Sequence, residues 1–67
     1  MKFKVGDLVE LLPSRRAIRT QDRMQGIALV TGFDGDGDPE LFFLRSRWSS
    51  FDYAHEYRVV RKKVQSG

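Results

Sequence analysis

Apolar residues in this chain come in short bursts set apart by turn-forming residues. Val5-Gly6-Asp7-Leu8-Val9-Glu10-Leu11-Leu12 joins a Gly-Asp turn to a brief apolar run with one charge, and predicts a first strand that Pro13 ends. Leu8 or Val9 opens its core face. The pattern then lapses. Residues 14–26 hold four arginines with Ser14, Thr20, Gln21, Asp22 and Gln25, and only Ala17, Ile18 and Met24 as apolar positions. They predict a long polar excursion with room for one helical turn. Arg15, Arg19 and Arg23 recur at i, i+4 and i+8, which on a helix would form one basic stripe. The segment is short and has no matching apolar face, which argues against a full helix.

Strand patterning returns at Gly26-Ile27-Ala28-Leu29-Val30-Thr31-Gly32-Phe33. Alternation places Ile27, Leu29 and Thr31 on one face and Ala28, Val30 and Gly32 on the other. Leu41-Phe42-Phe43-Leu44-Arg45-Ser46-Arg47-Trp48 predicts the third strand. Its core face is expected to carry Phe42, Leu44, Ser46 and Trp48, because that choice leaves Arg45 and Arg47 in water. Ser49-Ser50-Phe51-Asp52 is read as a turn, Tyr53 to Glu56 as a short bridging or 3₁₀ element, and Tyr57-Arg58-Val59-Val60-Arg61 as the last strand. Residues 62–67 are expected to form a frayed, flexible basic tail, leaving residues 1–61 as one domain. Four to five short antiparallel strands at turn-marked intervals indicate an all-β fold closed into a small barrel, since closure removes the open edges of so small a sheet. The alternative architecture is α+β, with residues 15–25 as a true helix.

Composition narrows the function classes. A 67-residue chain with 40% hydrophobic residues has enough apolar content for one modest core. The sequence contains no cysteine, which removes disulfides, thiolate metal sites and cysteine nucleophiles together. The longest apolar runs, 27–30 and 41–44, are far shorter than the roughly 20 residues of a membrane span, so no membrane partner is expected. The start of the chain has positive charge without an apolar stretch behind it, so no signal peptide is read. Net charge is +3, but the four carboxylates of residues 34–40 contribute −4, so the rest of the chain carries +7. Such a surface favours anionic partners, whether nucleic acid or an acidic protein patch.

Three clusters invite chemistry. In Phe33-Asp34-Gly35-Asp36-Gly37-Asp38-Pro39-Glu40, three aspartates alternate as in a calcium loop. An EF-hand loop beginning at Asp34 would put Pro39 where glycine must adopt positive φ and Arg45 where a bidentate glutamate must sit. The segment is therefore read as a hairpin turn, with Gly35 and Gly37 supplying positive φ, and no metal is expected. His55 lies near Ser49, Ser50 and Asp52, but no nucleophile elbow accompanies them, and so small a chain is not expected to enclose a pocket of about 300 Å³. No catalytic residue or cofactor is assigned. The third cluster is the arginines. Arg15, Arg16, Arg19 and Arg23 occupy the long loop, Arg45 and Arg47 are expected to point outward from the third strand, and Phe51 and Tyr53 supply aromatics nearby. Arginine with aromatics marks protein-contact hot spots and also grips single-stranded nucleic acid, so these eight residues are the candidate partner-binding set.

The order of features resembles a known group. Gly-Asp-Leu-Val-Glu near the start, Gly-Ile-Ala-Leu-Val-Thr, a Gly/Asp/Pro turn, a strand ending in Arg-Trp, and Glu-Tyr-Arg-Val-Val resemble small SH3-like barrel proteins of tailed bacteriophages. The chain has Ala28 where the group's second glycine falls and Tyr57 where leucine is usual. The resemblance implies a non-enzymatic module acting by contact with a protein, in a virion or against a host target, and hence in the virion or host cytoplasm. It leaves room for self-association between oppositely charged surfaces. KOW-type modules share the architecture, so the second expectation is a nucleic-acid-binding barrel that uses the arginine loop.

Overall fold

The structure, a computed structural model, describes residues 3–61; the expected tail at 62–67 lies outside the described residues. Five strands form one antiparallel sheet in the order β4-β3-β2-β1-β5, where β1 is Leu8–Leu11, β2 Ala28–Phe33, β3 Pro39–Phe43, β4 Trp48–Phe51 and β5 Tyr57–Arg61. The all-β class is thus observed. A helical turn, α1 (Pro13–Arg16), and two 3₁₀ turns, Asp22–Met24 and Ala54–Glu56, are the only helical elements among the described residues. The α+β alternative therefore does not hold.

Turn chemistry begins the fold. Asp7 closes a loop on Lys4, its amide donating to the Lys4 carbonyl and its carboxylate accepting from the Lys4 amide, with Gly6 at φ 99°. The following strand buries Val9 and Leu11. Leu12 takes the extended conformation that a following proline imposes, and Pro13 occupies the first turn of α1, where its missing N–H is no loss.

In β2, Ala28 and Val30 face the core as the alternation requires. A register shift between Val30 and Gly32 then moves Gly32 out of that set. Gly32 pairs with Glu40, and Phe33, paired with Pro39, packs against the core instead.

The third strand departs most from expectation. It ends at Phe43, residues 44–47 form a turn closed by the Arg47 amide on the Phe43 carbonyl, and the 49–52 segment expected to turn is largely strand β4. The inward face is Pro39, Leu41 and Phe43, all buried, while Leu44 is exposed. Solvating Arg45 and Arg47 requires no particular face once both sit in a turn, so the argument that selected Phe42, Leu44, Ser46 and Trp48 fails. Of that set Trp48 alone reaches the core, half-buried, with its ring stacked 5.9 Å from Phe43.

Phe43 of β3 and Tyr57 of β5 have ring centroids 6.4 Å apart. In a flat sheet these strands, separated by β2 and β1, would lie roughly 14 Å apart. The sheet is therefore curled around its core into a small barrel, with Phe3, Val9, Leu11, Met24, Ala28, Val30, Leu41, Phe43 and Tyr57 inside.

Candidate partner-binding surfaces

The arginines that look alike in sequence take up different roles. Arg19 turns inward from the long loop onto the β4–β5 connection. Its Nη2 donates to Asp52 Oδ2 at 2.8 Å, and its Nη1 donates to Asp52 Oδ1 at 3.3 Å and also to Glu56 Oε1. Asp52 is buried, and it also accepts the Tyr57 hydroxyl at 2.8 Å and the Tyr53 amide at 2.8 Å. Burial, reinforced by the bond to Asp52, pushes the Tyr57 hydroxyl well above the usual tyrosine range. The hydrogen bond to Asp52 likewise raises Arg19, which stays cationic at every working pH. Gln25 completes the clasp by donating to the Arg19 carbonyl at 2.7 Å.

This network was not anticipated. Its signal was that Asp52 and Glu56 are the only carboxylates after Glu40 in a basic stretch, a natural destination for one loop arginine.

The other arginines spread over the surface. Arg16 and Arg58 both approach Glu10, at 3.7 Å and 2.6 Å, and Arg15 is exposed with no side-chain partner among the described residues. Arg23, Arg45 and Arg47 come together with Trp48. The Arg23 guanidinium lies 4.2 Å from the indole centroid. Arg45 donates to the Asp22 carbonyl at 2.8 Å and pairs with its carboxylate at 3.1 Å, while the Ser46 hydroxyl donates to the Arg23 carbonyl at 2.7 Å. The 3₁₀ turn Asp22–Met24 is thereby tied to the β3–β4 turn, making one basic corner from two distant segments.

Phe51 and Tyr53 lie away from that corner. They line an open groove of about 330 Å³ with Asp34, Asp36, Asp38 and Asp52. Phe51 is 50% and Tyr53 57% exposed. The rim is held by the β2–β3 turn, where Asp34 Oδ1 accepts from the amides of Asp36 and Asp38, and Gly37 has φ 85°. Gly35 does not take the positive φ expected of it. Asp38 reaches across to accept from the Ala54 amide at 3.4 Å. Among the described residues no group of three or more histidine, aspartate and glutamate side chains is arranged to hold a metal ion.

His55 is largely exposed, 5.8 Å from the Tyr53 ring and 3.9 Å from Glu56. The Ser50 hydroxyl donates to the Phe51 carbonyl and Asp52 serves the Arg19 clasp, so His55, the serines and Asp52 form no relay. No helix among the described residues is long and apolar enough to cross a membrane. No protein-family model matches the chain, and no curated protein or solved structure matches it.

Proposed function

We propose that this protein is a non-enzymatic contact module, of the kind the small phage barrels represent, that holds a basic segment of a protein partner in a virion or in the host. The observation that carries the reading is the groove. Two aromatic side chains that the core does not use stand at least half exposed beside the densest negative charge of a basic molecule. Exposed aromatics in a concave, charged setting are the usual anchors of protein interfaces. A lysine or arginine of the partner would lie against the Phe51 and Tyr53 rings, where a cation gains from the ring quadrupole, and its charge would meet Asp34, Asp36 and Asp38. The rest of the chain carries +7, which would repel a basic partner and so favour the groove.

The test is calorimetric titration of an arginine- and lysine-rich peptide into the protein and into a Phe51→Ser/Tyr53→Ser variant. The wild type is expected to bind and the variant to lose most of the affinity. Equal affinity for the two proteins, or no binding by either at low salt, would overturn the reading.

A further inference from the structure

The basic corner is at the other end of β3 from the groove, roughly 13 Å away along a five-residue strand. We propose that it is a second binding site, for single-stranded nucleic acid, with Arg23, Arg45 and Arg47 meeting phosphates and the Arg23 plane receiving a base.

Three observations converge there. The first is the stack: Phe43 packs on Trp48, and the Arg23 guanidinium carbon lies 4.2 Å from the centroid of the same indole, which restrains an otherwise flexible side chain at the surface. Arg23 is exposed, and none of its guanidinium donors has an acceptor among the described residues. Nucleobases stack on guanidinium planes, and the N–H edge of the same group faces a phosphate.

The second is Arg47. It is the only non-glycine residue with positive φ among the described residues, at 58°. Arginine has no conformational advantage there, whereas glycine would relieve the strain. Its side chain is exposed and meets no acceptor among the described residues, so nothing within the fold uses the charge it brings. The third is Arg45, whose Asp22 contacts involve one nitrogen and leave its other donors facing water.

Charge alone would also attract an acidic peptide. The Arg23–Trp48 pair favours the nucleic acid, because bases stack on guanidinium and indole groups whereas a carboxylate chain would engage only the N–H donors.

Trp48 is the only tryptophan, so its fluorescence reports on the site directly. The experiment titrates a short oligothymidylate into the full chain at several salt concentrations. The expected result is a change in Trp48 emission and an affinity that falls with salt at a log–log slope of about −2, from three contacts at roughly 0.7 each. Arg47→Gly removes one contact while relieving the backbone strain. It should fold at least as well, bind about eightfold more weakly near 50 mM salt, and reduce the slope by about 0.7. Arg23→Gln should remove most of the emission change. No emission change at low salt, an unaltered slope in Arg47→Gly, or an equal response to polyglutamate would each overturn the proposal. Phe51→Ser/Tyr53→Ser lies at the other end of β3 and should leave all of these readings unchanged, so the site stands or falls independently of the groove.

Discussion

Replacing Arg19 with methionine keeps much of the stem's packing and removes the guanidinium that joins the long loop to Asp52 and Glu56. Asp52 is nearly enclosed, with 5% of its side chain exposed, whereas Arg19 retains 27%. Breaking a fully buried ion pair costs about 3–5 kcal/mol. Because one partner here is partly solvated, and Asp52 keeps its bonds from Tyr57 and the Tyr53 amide, the loss should be about 2–3 kcal/mol. A domain of this size is held by only about 3–10 kcal/mol in total, so the variant should melt about 10–20 °C lower. Urea denaturation followed by circular dichroism, with Arg15→Met as the exposed control, measures the difference. A loss under about 0.5 kcal/mol, the range of an ordinary surface substitution, would refute the claim that Arg19 is part of the fold. A double-mutant cycle with Asp52→Asn should show coupling of about 1–3 kcal/mol.

Tyr57 makes a prediction in pH. Its folded-state pKa is raised, so the unfolded chain loses the proton first, near pH 10, and the contribution of this group to stability, constant below that point, falls by up to about 1.4 kcal/mol per pH unit above it. Urea midpoints at successive alkaline pH values should show this fall in the wild type and a shallower one in Tyr57→Phe; parallel curves would contradict it. The inward face of β3 is tested by a pair of variants: Leu41→Ala should cost about 2–5 kcal/mol in chemical denaturation and Leu44→Ala under about 0.5, with the reverse order restoring the face that solvation of Arg45 and Arg47 suggested.

Most strands were legible because Gly6, Pro13, Gly26 and the 34–39 turn mark their boundaries in residue type. The face of β3 was not, since Leu41-Phe42-Phe43-Leu44 offers apolar residues to both sides and the decision fell to the arginines beyond it. Those arginines lie in a turn whose positive-φ position is held by Arg47, a residue type that announces no turn. The bulge after Val30 was hidden for a similar reason: a one-residue slip leaves no compositional trace and reverses every face that follows. Among the candidate binding residues, a run of like charges could not reveal that Arg19 is consumed by Asp52, nor that Arg23 joins Arg45 and Arg47 across the fold. Phe51 and Tyr53 are exposed, and their neighbours in space are carboxylates rather than the arginines beside which the sequence order sets them.

The docking proposed for the acidic, aromatic groove can be read residue by residue. The most direct measurement is a two-dimensional amide NMR titration of the full chain with an arginine- and lysine-rich peptide. Docking in the groove predicts saturable shifts at Asp36, Asp38, Phe51 and Tyr53, with the amides of Arg23, Arg45 and Arg47 unmoved. Shifts centred on the β3–β4 turn, or weak shifts spread over all carboxylates without saturation, would contradict it.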